Sequence, residues 1–425
     1  MLAIVYPGKI SGKVAAPPSK SMTQRAYAAA LLHNGTTIIH NAGNSDDEQA
    51  ALNMALALGA EIVERNDDRI IIKSSGVCPA EDIVNCGESG LAARLFTPIA
   101  VLSDKQLTIT GAGSLTARRM HGFEETLTAL GIVISNFSGN LPITVKGPIH
   151  PRPISIDAGA GSQFLSGLLF ALSYAATEPI VIKVESLSSR PYIDLTLDVL
   201  KQFGRVVTHS NYKEFYIDPA QFSHTETVEI NIEGDWSGAA NLLVAGAIAG
   251  SITVSNLNIH SRQADRAILD VLRDAGALIS TDGNEVSIAT AKLTGFGFDA
   301  THSPDLFPIL SVLASCCMGD STITGVHRLF NKESNRAESI SELLQSFNVP
   351  FSIEDDVLCI EGVQQLQGTI IDSYNDHRIA MAGAIGALCA NGPVDISEAG
   401  SVNKSYPHFF NHLSLCGVKV EIKDN

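Results

Sequence analysis

A period of about seventy residues runs along this chain and constrains its fold more than any other feature. A serine opens an Ala/Leu-rich helical stretch at Ser21, Ser89, Ser162, Ser237, Ser303 and Ser373, at spacings of 68, 73, 75, 66 and 70 residues. A short β-branched run follows each stretch, beginning at Thr36, Gln106, Ile180, Ser251, Ser321 and, more weakly, Pro393. A polar loop then leads to a second amphipathic helix, predicted over residues 47–58 in the first copy and 264–275 in the fourth. Both end in Gly-Ala, at Gly59-Ala60 and Gly276-Ala277, as a glycine C-cap requires. Pairs of strands joined by Asn/Asp turns complete most copies. A repeat of this length is one supersecondary unit, and the pattern reads as βαβαββ six times over.

Six units divide into three and three, and 425 residues are too many for one ordinary core. The expected fold is therefore α/β (α+β) with two domains, one over residues 14–229 and the other over the rest. Hydrophobic residues at 45% and charged residues at 17% exclude a disordered chain. A formal charge of -16 argues against nonspecific nucleic-acid binding, though not against a local basic pocket for a small anion. Seven cysteines with no C-x-x-C pair and no His cluster at metal spacing suit reduced thiols in the cytoplasm and no bound metal. The opening MLAIVYPGKI does not read as a signal peptide, and the longest apolar runs, residues 306–318 and 379–390, are too short to span a bilayer.

The helix starts carry the chemically odd residues. Two prolines stiffen the approach to the first helix and Ser19 or Ser21 can cap it, yet Lys20 and Arg25 add positive charge where the helix N-terminus is already positive. Comparable starts recur at Glu88-Ser89-Gly90 with Arg94, Arg118-Arg119, Ser188-Ser189-Arg190, Ser261-Arg262, Asn331-Lys332-Glu333-Ser334-Asn335-Arg336, Asn375-Asp376-His377-Arg378 and Asn403-Lys404. One such cation is an ordinary solvated side chain. So many at equivalent positions indicate a cleft that collects phosphate and carboxylate groups.

The usual phosphate loops are absent, as are H-E-x-x-H and G-x-S-x-G, so nucleotide-fold, metal-hydrolase and serine-hydrolase readings have no support. Two carboxylates stand out among the cations: Glu333, between Lys332 and Arg336, and Asp305, which follows a proline. By position alone Asp305 reads as a helix-stabilising acid, His377 as a structural histidine, and Asp46 and Asp47 as ordinary helix-start acids.

The segments PPSKSxxxR at residues 17–25, SQFLSGLL from Ser162, SRPYID from Ser189, NKESNR from Asn331, YNDHR from Tyr374 and NKSYP from Asn403 occur in one order over essentially the whole chain. Together they resemble the 3-phosphoshikimate 1-carboxyvinyltransferase family. The resemblance implies the two-domain, pseudo-threefold enolpyruvyl transferase fold, with residues 1–13 joining 230–425. It implies transfer of the enolpyruvyl group of phosphoenolpyruvate to the 5-hydroxyl of shikimate 3-phosphate, with release of phosphate. Carried over position by position, Lys20, Ser21, Arg25, Ser162, Gln163, Ser189, Asp305 and Lys332 would hold shikimate 3-phosphate. Lys20, Gly90, Arg118, Gln163, Arg336, Arg378 and Lys404 would hold phosphoenolpyruvate. Asp305 would take the hydroxyl proton and Glu333 would handle the methylene proton, with Lys20 beside them in the catalytic set.

The expected partners are these two small molecules alone, acting on a monomer without cofactor, metal, nucleic acid or membrane. Glu88 and Leu91 depart from the family's Asn-x-Gly-Thr, as do Gly161, Leu95 and Arg328 from its serine, proline and asparagine. Two other functions share part of the pattern. A UDP-N-acetylglucosamine enolpyruvyltransferase carries a reactive cysteine in the loop corresponding to residues 111–122, where this chain has none. A noncatalytic phospholigand-binding protein would keep the cations without needing Asp305 and Glu333 together.

Overall fold

The β-branched runs become the central strands of six four-stranded sheets. In the second copy Gln106–Thr110 pairs parallel with Ile83–Asn85 and antiparallel with Ile143–Lys146, whose far side carries Val133–Ser135. Leu107 and Ile109 are buried while Gln106 is exposed, the period-two pattern of a strand with one face on a core. The computed structural model describes residues 1–423.

Three strands join sheets far away in sequence. Thr227–Asn231 lies parallel to Gly35–His40, and Ile10–Ala15 lies parallel to Gly250–Ser255. Leu2–Val5 sits between Val394–Ser397 and Val420–Lys423. The chain accordingly forms two compact units, Pro18–Glu233 and Met1–Pro17 with Gly234 onward. Boundaries at 13/14 and 229/230, as expected from sequence, would cut Ile10–Ala15 and Thr227–Asn231; both strands stay whole because the crossings fall after them.

Each unit has its own core. In Pro18–Glu233 the helices Lys20–Leu32, Gly90–Ala100 and Gln163–Ala175 pack against one another, and nearly every residue in them is buried. In the other unit Trp236–Ala249, Phe307–Ser315 and His377–Gly386 do the same. Helices buried on all sides cannot be amphipathic, which is why these stretches read as Ala-, Gly- and Leu-rich without a polar stripe. Gly167 allows the closest of these approaches: a Cβ there would lie 2.6 Å from the Arg94 carbonyl oxygen and 2.7 Å from that of Leu95. Both obstacles are backbone and cannot rotate away. Gly167→Ala should therefore destabilise the fold by about 1–3 kcal/mol, read as a lower urea midpoint; an unchanged midpoint would mean that the helices slide apart freely.

The repeating serines play less uniform parts than their spacing implies. Ser89 caps its helix through a side-chain bond from Ala92 N, and Ser162 occupies the N-cap of its own. Ser19 rather than Ser21 caps the first helix, while Asp235 and Asp376 cap those expected at Ser237 and Ser373. Ser303 caps only the 3₁₀ turn Pro304–Leu306. The helix expected over 264–275 is a 3₁₀ turn, Ala264–Ala267, followed by a short helix, Ile268–Asp274.

Candidate active site

In the unit Pro18–Glu233 the three central helices start without an acidic residue in the first turn. Their N-terminal dipoles thus keep their attraction for anions. Lys20 Nζ donates to Asp47 Oδ2 at 2.7 Å, with the two side chains only 13% and 11% exposed. Asp47 is therefore a buried counterion as well as a helix-start acid, a correction to the sequence reading.

Arg25 is 1% exposed and spans the first, fifth and sixth helices of the chain. Its Nε donates to Thr196 Oγ1 at 2.8 Å, Nη1 to the Ser21 carbonyl at 2.8 Å, and Nη2 to the Tyr192 carbonyl at 3.2 Å and Ser166 Oγ at 3.4 Å. Burial pushes its guanidinium down to about 10, against the nearby Tyr192. Four of its five N–H groups are thus spent on holding it in one pose.

A second cluster forms around Gly90. Arg94 Nη1 donates to the Gly90 carbonyl at 3.1 Å and to Gln163 Oε1 at 3.4 Å, and Nη2 to the Arg119 carbonyl at 3.0 Å. A Cβ on Gly90 would lie 2.9 Å from both Arg118 Nη1 and Arg94 Nη1, so only glycine lets the two guanidinium groups flank the backbone there. Gly90, Arg118 and Gln163 are thereby brought together. Arg94, absent from the expected set, is what ties them, and the cation at the end of Gly90-Leu91-Ala92-Ala93-Arg94 was its only signal.

Ser162 and Ser189 are buried N-caps at two other helix starts. Ser189 has φ 56°, a left-handed conformation uncommon outside glycine. The departures from the family pattern spread more widely. Glu88 lies against Gly113, where a Cβ would come within 2.3 Å of its Cδ, and Leu91 and Leu95 join the core.

The other unit gathers Lys332, Arg336 and Arg378 around one carboxylate. Asp305 Oδ1 accepts from Arg336 Nη1 at 2.7 Å and from Lys332 Nζ at 3.3 Å, and Oδ2 accepts from Arg378 Nη2 at 2.9 Å. Burial alone would raise the Asp305 carboxyl; Arg378, Lys332 and Arg336 outweigh it and hold the group well below the usual carboxylate range. Asp305 is thus the hub of a cation cluster as well as an acid in the first turn of Pro304–Leu306. Arg336 is completely buried and also donates to Glu333 Oε2 at 2.6 Å and, through Nε, to Asp376 Oδ2 at 2.8 Å.

Burial lowers the Lys332 amine, with Asp305 opposing that shift. Asp376, wholly buried, supports both arginines: it also caps the next helix through Arg378 N at 3.0 Å. Lys404 Nζ donates to the Asn375 carbonyl at 2.8 Å, in a loop where Tyr374 and Asn375 both have positive φ. His377 is buried, at 1% exposed. Asp376 escaped the sequence reading because an Asp before a helix looks like any other cap.

The sequence model of EPSP synthase (3-phosphoshikimate 1-carboxyvinyltransferase) matches residues 4–413. A 3-phosphoshikimate 1-carboxyvinyltransferase of Clostridium novyi is 34% identical, covering 97% of each chain. One from Methanocorpusculum labreanum is also 34% identical, over 98% of this chain and 99% of its own. Among solved structures, EPSP synthase from Acinetobacter baumannii shares the fold with a TM-score of 0.83 at 23% identity, covering 100% of both chains. The enolpyruvyl transferase NikO from Streptomyces tendae does so at 0.78 and 16%, covering 99% of this chain and 98% of its own. An unbroken match of this extent accounts for all six repeats at once, and on it the chain belongs to the EPSP synthase (3-phosphoshikimate 1-carboxyvinyltransferase) family.

Proposed function

We propose that this chain transfers the enolpyruvyl group of phosphoenolpyruvate to the 5-hydroxyl of shikimate 3-phosphate and releases phosphate. The observation that carries this reading is that Asp305 and Glu333 share one buried guanidinium, that of Arg336. A protein that only binds phosphorylated ligands needs cations, but has no use for two carboxylates that compete for the same one. A reaction that moves two protons does.

In this assignment Lys20, Ser21, Arg25, Ser162, Gln163, Ser189, Asp305 and Lys332 hold shikimate 3-phosphate. Lys20, Gly90, Arg118, Gln163, Arg336, Arg378 and Lys404 hold phosphoenolpyruvate. The carboxylate of phosphoenolpyruvate then competes with Asp305 for the N–H groups of Arg336 and Arg378. A carboxylate that loses such donors binds a proton more tightly, so the cosubstrate itself readies Asp305 to take the 5-hydroxyl proton. The freed oxygen bonds to C2 of phosphoenolpyruvate while Glu333 gives a proton to C3. Glu333 recovers a proton from the methyl group as the C–O bond to phosphate breaks, and the proton on Asp305 leaves with the phosphate.

The same reading has the chain act in the cytoplasm as a monomer, for which light scattering on the purified protein is the check. A phosphate-release assay tests the function itself. Release is expected only when both substrates are present. Equal release with UDP-N-acetylglucosamine in place of shikimate 3-phosphate, or none with either, would overturn the reading.

A further inference from the structure

Asp265 lies in the turn Ala264–Ala267, within the same unit as Asp305. Its side chain is completely buried. Oδ2 accepts from Ser237 Oγ, while Oδ1 has no hydrogen-bond partner among the described residues. Buried carboxyl oxygens are nearly always bonded, so a half-bonded one is a costly feature to keep in a core. The turn is fastened to that of Asp305, because Ser303 Oγ donates to the Ala264 carbonyl at 3.3 Å and Asp305 follows in Pro304–Leu306.

The charges that face Asp265 are Asp305 from that turn, Arg378 from the start of His377–Gly386, and Asp235 from the cap of Trp236–Ala249. On the adjoining helix Ile268–Asp274, Asp270 and Arg273 are exposed and bonded to each other at 2.8 Å, and Asp274 is exposed. Asp305 in turn faces Arg378, Lys332, Arg336 and Arg328. Four cations thus bear on one general base, and Asp265, the acid that faces it, keeps an oxygen with no hydrogen-bond partner among the described residues.

We infer that Asp265 is a positioning residue for the reaction: a second carboxylate whose charge opposes the cations around Asp305 and keeps that group able to accept the hydroxyl proton. The inference rests on the proposed role of Asp305 as base. Burial and the charge of Asp305 push Asp265 up to about 6, against Arg378 and the Ser237 bond. The two carboxyls therefore titrate as a pair, each favouring the proton on the other. With Asp265 ionised, Asp305 binds a proton more tightly; with Asp265 neutral, the cations leave Asp305 too weak a base.

The test is the pH dependence of turnover in the parent, Asp265→Asn and Ser237→Ala. Asp265→Asn removes the charge but keeps the volume and a partner for Ser237. Loss of a negative neighbour makes Asp305 more acidic, so the acidic limb of kcat/KM should move to lower pH by about 0.5–1 unit. A weaker base should lower the plateau kcat by roughly 5- to 50-fold, with both KM values little changed. Ser237→Ala removes the bond that favours ionised Asp265, so Asp265 takes its proton at higher pH and the limb should move up, opposite to Asp265→Asn.

A limb that stays in place in either folded variant overturns the inference, as does a lower melting temperature and kcat with no change of limb, the mark of a structural role. Should Asp265→Asn fail to fold, Ser237→Ala decides by the same criterion. A parent that does not turn over the two substrates would instead refute the proposed function, which separates the two failures.

Discussion

Glu333→Gln slows turnover by about 10²- to 10⁴-fold, the range for a lost general acid or base, while shikimate 3-phosphate still binds. The expectation follows from the geometry of one side chain. Glu333 is 21% exposed and accepts from Arg336 Nη2 through Oε2 at 2.6 Å, so that guanidinium holds it in place. Glutamine matches its size and can offer its carbonyl oxygen to the same guanidinium, but it has no proton to exchange with carbon. The decisive measurement is incorporation of solvent deuterium at C3 of phosphoenolpyruvate. If the glutamine variant exchanges as fast as the parent, Glu333 does not carry the proton.

Arg336→Ala acts on the fold as much as on the chemistry, with an expected cost of about 3–5 kcal/mol, as for one member of a buried charge set. The side chain is 0% exposed and binds Asp305, Glu333 and Asp376, the last itself 0% exposed. Its loss leaves three carboxylates to repel one another. The sign of the pH dependence follows from Asp305, whose carboxyl is held below its unfolded value. Such a group stabilises the fold above the unfolded pKa of about 3.9 and loses that contribution as pH falls through the folded value. Without Arg336 the Asp305 carboxyl rises, so acid unfolding should begin at a higher pH and the deficit in stability should be larger at neutral pH than in acid. Urea titrations at both ends check this; a deficit that grows on acidification would contradict the assignment.

The cations of the site were legible in the sequence because each breaks a local rule. Lys20 and Arg25 occupy a helix start that ordinarily attracts acids, and Arg336 and Arg378 stand where the repeat places two more starts. The acids that answer them were not legible, since Asp47, Asp376 and Asp265 obey the same rule that the cations break. Nothing in a single sequence separates an Asp that caps a helix from one that also neutralises a guanidinium forty residues away, as Asp376 does for Arg336. Ser166 and Thr196, which hold Arg25 through their hydroxyls, face inward on helices where polar groups of their size fit any core, and Tyr192 holds it through a backbone carbonyl that any residue would supply.

The repeat itself survived into the structure as six sheets of one design, because a seventy-residue spacing is a covalent fact. Which strand closes each sheet is a tertiary fact. The alternation in Ile10–Ala15 fits any half-buried sheet and carries no address.

That displaced pairing has a consequence for how the polypeptide is made. Leu2–Val5 and Ile10–Ala15 leave the ribosome before all of Pro18–Glu233, but their partners begin only at Val394 and Gly250. All of Pro18–Glu233 emerges in between, and it contains every strand its own sheets require. Vectorial synthesis thus lets one half mature while two hydrophobic β-segments wait, unpaired, upstream of it. A nascent chain that has emerged from the ribosome as far as Glu233 should carry one finished half and an adhesive upstream segment, so that segment rather than the half is the point at which a holdase chaperone would be needed.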